Sequence, residues 1–550
     1  MTTVADVSDG YIRGVAALDP VRALGMFGTG GSGRTVTDYS PEGFQARRDL
    51  YAALRDQLRT AEAVGEADRL GRLFLSDELD RLVHLHDAGE YQRQVSAIFG
   101  PQASLRAMFD LVDTGGDDQW DAVGDRLAAV PAAIEGYRRS LRASAAEGRS
   151  APGRLVAAVS EQCRLWAGDG GGGWFSAFAA GYGGGRLADR LGRVAAEADA
   201  AYGELATWLT SSYLPNASDQ DGVGEERYHH WFRALLGARM DVADAYRWGW
   251  EELARLEEEK AAESDRVIPG ATFAEVRHVL STDPGRAIDG VDAWRAWLQD
   301  LTDAAIERLH GAHFDIPDPL RRCRVGIPPE GTAAAPYYTP PGEDLVRPGQ
   351  VWFPTIGRSS FPTWDGPTTI YHEAVPGHHL QLGTTRTVDL VSAQRMGFNS
   401  AHGEGWALYA ERFMDDLGAF QDPAHRLGFL AMQAFRAARV VVDIGLHTGR
   451  EIPDGWPGAG RRWDHDLAVD AIERACGLSR DFCQSEVLRY LSMPAQAACY
   501  KLGERVWLAG REDARRRAGP DFSLKDWHAR ALALGPIGLD ALSDELARLG

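Results

Sequence analysis

Tyr371-His-Glu-Ala-Val-Pro-Gly-His-His-Leu-Gln381 sets three histidines, a glutamate, a proline and a glycine within eight residues of a chain that has only 15 histidines. Packing alone is a poor explanation for that concentration, and a bound metal is a better one. Zinc hydrolases surround the ion with neutral imidazoles and a carboxylate, and keep a general base beside the attacking water. The familiar spacing is His-Glu-x-x-His, which puts both imidazoles on one helix face with the glutamate next to them. Here the spacing is longer: His372-Glu373, then Ala-Val-Pro-Gly, then His378-His379. On a regular helix His379 would lie about 700° round from His372, nearly the same face, but roughly 10 Å up the axis, too far for one ion. Pro376 removes the hydrogen bond to the carbonyl of His372, and with Gly377 it argues for a bulge that shortens the spacing. His378 is therefore the expected second ligand beside His372, with His379 as the alternative. Glu373 is the expected general base.

Some thirty residues on stands Ser400-Ala-His-Gly-Glu-Gly-Trp-Ala-Leu-Tyr-Ala-Glu411. Glu404 opens a helix beside glycines that permit close approach, and is the expected third ligand. Glu411 lies seven residues later on nearly the same face. Its role stays open between an ion pair with Arg412 or Arg439 and support behind the ligands. His402 is as well explained by the surface as by such support.

Around these motifs most of the chain has helical periodicity. Leu, Ala and Val recur at three- and four-residue spacing over residues 6–24, 41–88 and 117–167, and again over 186–209, 225–265, 273–280 and 291–310. Two glycine clusters, 170–173 and 183–185, flank Trp174, Phe175, Phe178 and Tyr182. They predict a loop or hinge there, either a surface connection or a mobile lid. Between Ile316 and Pro367 eleven prolines interrupt any period, so turns and extended segments are expected. Gly349-Gln-Val-Trp-Phe-Pro354 is the best strand, with Val351 and Phe353 on one side and Trp352 on the other. An exposed edge there would suit a substrate held as an added strand. Tyr337 and Tyr338 are candidates to line it. The expected fold is mainly α: a two-lobed helical body with a short β-edge beside a deep active-site cleft. Residues 1–310 form the N-terminal lobe. Residues 311–550 form the catalytic lobe, with the proline-rich β-edge at 311–367.

The formal net charge of −20 argues against nucleic acid or an anionic membrane as partner, because both are held by clustered Lys and Arg. Five scattered cysteines, none in a Cys-x-x-Cys pair, suit a reducing compartment better than a disulfide framework. The N-terminus lacks the basic and apolar regions of a signal peptide, and no apolar run of about eighteen residues is present. A cytoplasmic protein of open oligomeric state is expected.

The stretches HEAVPGHHLQ, EGWALYAE and RVVVDIGLH, with Glu486-Val-Leu-Arg-Tyr-Leu-Ser-Met-Pro-Ala-Gln-Ala-Ala-Cys-Tyr-Lys-Leu-Gly503, resemble a bacterial family of unknown function, domain family 885. Residues 11–25 resemble its start, so the likeness covers nearly the whole chain. The family is similar in architecture to helical glutamate-zincins such as thimet oligopeptidase, carboxypeptidase Taq and angiotensin-converting enzyme. Those relatives take their third ligand from a Glu on the next helix, which matches Glu404, but carry His-Glu-x-x-His without an insertion. They also draw Tyr and His from later segments as donors to the developing oxyanion. By that likeness Tyr500 and His447, then Tyr490, are the expected donors beside the catalytic Glu373. Arg439, Arg489 and Lys501 are candidates to bind a substrate carboxylate. The implied activity is zinc-dependent hydrolysis of short peptides. An amidase, deacylase or C–N-cleaving enzyme acting on a small metabolite is the alternative.

Overall fold

A computed structural model describes residues 2–28, 35–169, 171–329 and 335–549; Gly170 of the first glycine cluster lies outside them. The fold is mainly helical, with 68% helix and 5% strand. One apolar core runs from Val4 to Leu546 and so draws on both sides of residue 310. None of the described helices is long and apolar enough to cross a membrane.

Helix Pro423–Thr448 runs through the centre of that core. Leu, Val, Ala and Phe wrap its whole circumference, so it must be enclosed on all sides. Asp422 caps its start by accepting from the Ala424 N–H, and Gly449 ends it in the left-handed conformation. The polar residues on this helix therefore need partners inside the protein.

Helix Ser400–Asp416 lies against helix Gln496–Ala518 with Gly405 facing Gly503. A Cβ on Gly405 would strike the Gly503 backbone, and one on Gly503 would strike the carbonyl of Ala401. Only glycine at both positions lets the two backbones come this close. That contact fixes Glu404, one residue before Gly405, relative to Tyr500, three residues before Gly503.

The proline-rich segment departs from expectation. Strand Gly349–Trp352 keeps the expected alternation, with Val351 buried and Trp352 half-buried, but it is not an edge. It is the middle of a three-stranded sheet, parallel to Cys323–Gly326 and antiparallel to Tyr337–Thr339. Gln299 covers the far side of Cys323–Gly326, donating to the Cys323 carbonyl and accepting from the Val325 N–H. Both neighbours were hidden in the sequence because each strand is only three or four residues long.

The aromatic stretch between the glycine clusters is not a loop or lid either. Trp174–Ala180 forms a helix, with Phe175 buried against Phe109 and Tyr202 and with Trp174 stacked on Phe178. Two turns of helix bounded by glycine leave too little periodicity to read.

Candidate metal centre

The break in the His372 segment is complete. Helix Gly366–Glu373 stops, the chain turns through Ala374–Gly377 with a cis Val375–Pro376 bond, and helix His378–Thr384 begins. A Cβ on Gly377 would strike the His372 carbonyl, so the close turn requires glycine. Trp406 Nε1 donates to the Pro376 carbonyl (2.8 Å) and ties the turn to the helix that carries Glu404.

This turn brings His372, His378 and Glu404 together, with one donor atom from each lying within 4.8 Å of the others. The Nε2 atoms of His372 and His378 each stand 3.4 Å from Glu404 Oε2. Two donors bound tetrahedrally at about 2.0–2.1 Å from zinc would be separated by roughly 3.3–3.4 Å. The two His–Glu404 separations and the chemistry of the donor set thus fit zinc. Both histidines are buried, with rings 4.9 Å apart and nearly perpendicular.

Glu411 supports the first of them. His372 Nδ1 donates to Glu411 Oε1 (2.7 Å), leaving Nε2 as the nitrogen open to an ion. Glu411 Oε2 accepts in turn from Thr368 Oγ1 (2.7 Å) and Gln433 Nε2 (3.3 Å). Burial pushes the His372 imidazole down, but its bonds to Glu404 and Glu411 outweigh that and raise it to about 9. Burial pushes Glu404 up, yet the two histidines hold it well below the usual carboxylate range. Glu411→Ala is expected to weaken zinc affinity by about 10- to 100-fold, the usual cost of losing such an orienting partner. Titration with a competing chelator measures it.

His379 is not a candidate ligand in this structure, because the restarted helix turns it away. Its Nε2 donates to the Leu320 carbonyl (2.8 Å) and its Nδ1 accepts from the Tyr338 hydroxyl (2.8 Å). His378→Ala should abolish tight zinc binding, whereas His379→Ala should leave a full equivalent bound. Metal analysis of the two purified variants checks this.

Glu373 lies beside the three donors and makes no hydrogen bond among the described residues. Burial pushes its carboxyl up, opposed by His372 and His378 and aided by Glu404. The Tyr500 ring lies nearly parallel to that of His372, centroids 6.4 Å apart, and the Arg439 guanidinium sits 4.8 Å over its centroid. Burial, aided by the charge of Glu404, pushes the Tyr500 hydroxyl up to about 12, so it stays protonated and able to donate. It too has no partner among the described residues.

The remaining expected residues are occupied elsewhere. His447 accepts from the Val223 N–H at Nδ1 and donates to the Tyr490 carbonyl at Nε2, so neither nitrogen is free for an oxyanion. The Tyr490 hydroxyl donates to Glu486 (2.9 Å) and accepts from Arg439 Nε (3.0 Å). Arg439 and Arg489 both pair with Glu486, and Arg489 also donates to Gln496. Lys501 is buried between Glu252, Glu504 and Gln433. All five are buried or nearly so, and a polar group without a partner would be costly there. His402 packs edge-on against Trp507 in the core.

Two solved structures share the fold across their whole length. A chain from Colwellia psychrerythraea described as a "putative lipoprotein" superposes with a TM-score of 0.85 at 20% identity, covering 100% of this chain and 99% of that one. One from Shewanella oneidensis, described as a "putative lipoprotein of unknown function", gives 0.77 at 17% identity, covering 99% of each chain. No curated protein matches the sequence. The family model described as "Bacterial protein of unknown function (DUF885)" matches residues 21–546, and the chain belongs to that family.

Proposed function

We propose that this protein is a zinc-dependent hydrolase that cleaves an amide bond in short peptides. The observation that carries the reading is the convergence of His372, His378 and Glu404, with both His–Glu separations at zinc-ligand spacing, and with Glu373 directly after His372 and without a hydrogen bond among the described residues. Those three residues would hold the ion. Bound zinc supplies a Lewis acid and makes a nearby water acidic enough to attack at neutral pH.

The chain's own groups do the rest. Glu373 takes a proton from the attacking water and hands it to the leaving amine as the C–N bond breaks and the water oxygen joins the carbonyl carbon. Tyr500 donates to the carbonyl oxygen as negative charge grows on it. Arg439 and the Glu486 pair hold the Tyr500 ring in place. Glu411 keeps His372 oriented.

In this reading the body is two-lobed and zincin-like. Residues 1–310 frame a cleft too deep for folded chains, and 311–550 carry the chemistry. The five buried free thiols favour a cytoplasmic setting. The test is incubation of the zinc-loaded protein with a mixed library of short peptides, read by mass spectrometry. New fragments that disappear with chelator are the expected result. An unchanged library would reject peptidase activity.

A further inference from the structure

Gln433, Arg436, Arg439, Asp443 and His447 form a polar stripe at three- and four-residue spacing along the otherwise apolar central helix. Four of the five have partners on other elements. Gln433 bonds Glu411 and Lys501, and Arg439 bonds Glu486 and Tyr490. Asp443 accepts from the Tyr228 hydroxyl and the Ala495 N–H, and His447 is held by Val223 and Tyr490.

Arg436 is the exception. Among the described residues its only hydrogen bond goes to the carbonyl of Met432, on its own helix (3.3 Å). Its Nε is buried without a partner, and among the described residues its guanidinium forms no ion pair with a carboxylate. A guanidinium is a planar fork of five donors that cannot shed its charge. Leaving it half-buried and unpaired costs free energy unless something else supplies an acceptor.

Its position says what that acceptor is. One helical turn before it, Gln433 touches Glu411, the partner of His372. One turn after it, Arg439 covers the Tyr500 ring, which lies parallel to His372. Each of those steps is about 4.5 Å along the axis, so Arg436 sits between two walls of the candidate centre.

We propose that Arg436 anchors a free carboxylate of the substrate beside the scissile amide. The substrate class is then a short peptide cleaved next to its C-terminal residue, or an N-acylated amino acid. The inference rests on the hydrolase reading above and sharpens it from peptides in general to those with a free acid near the cleaved bond. It also replaces Arg439, Arg489 and Lys501, whose donors are already engaged, as the carboxylate site.

The experiment uses zinc-loaded wild type, Arg436→Met and Arg436→Lys, with two readouts. One is kcat/KM for a short peptide with a free C-terminus against the same peptide as its C-terminal amide. The other is calorimetric binding of N-acetylalanine against N-acetylalaninamide. Wild type should favour the free acid by about tenfold or more in both, as expected for a charge-assisted bidentate bond. Arg436→Met should bring both ratios close to one while zinc content and helical circular dichroism stay at wild-type levels. Arg436→Lys should recover part of the preference, which separates loss of charge from a damaged fold. A free-acid preference that survives in Arg436→Met overturns the assignment, as does a wild type that binds acid and amide alike. If wild type cleaves neither peptide yet binds N-acetylalanine through Arg436, the hydrolase reading fails and the anchor stands.

Discussion

Glu373→Gln is expected to bind a full equivalent of zinc and to lose hydrolysis by at least about a hundredfold, the usual contribution of a general base. The substitution preserves volume and a hydrogen-bonding head but cannot take a proton at neutral pH. Glu373 ends its helix directly beside His372, yet it bonds to neither histidine among the described residues. The metal should therefore survive its loss. Zinc content by mass spectrometry, paired with turnover of a cleaved peptide, checks the two halves separately. Turnover near wild type would remove Glu373 from proton transfer. Loss of zinc would make it a ligand.

Tyr500→Phe is the second large effect. It removes one oxygen from a ring that lies over His372 and under Arg439, so packing should hold. The hydroxyl has no protein partner among the described residues, so no buried bond is broken in the resting state. A donor aimed at the developing oxyanion contributes about 3 kcal/mol, or roughly a hundredfold or more in turnover. The Michaelis constant should move far less, because the ground-state carbonyl is a weaker acceptor. A raised Michaelis constant with turnover spared would make Tyr500 a substrate contact instead.

What could be read from the chain was what local chemistry decides. Pro376 lacks an N–H and Gly377 lacks a side chain, which points to a bulge between Glu373 and His378, and the fold turns that bulge into a complete break. The break then separates His378, which faces Glu404, from His379, which faces Leu320 and Tyr338. The long helices were legible because their periods run over many turns. The Trp174–Ala180 helix and the strands Cys323–Gly326 and Tyr337–Thr339 were not, because each is too short to show a period.

Two of the three expected donors, and Lys501, were out of place for a different reason. Tyr490, His447 and Lys501 carry suitable chemistry, and the acids near Tyr490 and Lys501 on their own helices, Glu486 and Glu504, do not by themselves mark them as taken. Their partners Arg439, Val223 and Glu252 are set by how distant segments pack. Arg436 was passed over on the same ground. In the sequence it is one of several basic residues on an apolar helix, and only the pairing of its neighbours leaves it conspicuous. Glu411 was half legible: its seven-residue offset from Glu404 put it on the right face, but only the fold aims it at His372.

The most direct test of the metal centre is anomalous diffraction at the zinc absorption edge from crystals of the wild-type protein grown with zinc. One strong peak per chain is expected, bounded by His372 Nε2, His378 Nε2 and Glu404 Oε2. A folded protein with no peak there, or with its peak at His379 or elsewhere, would contradict it.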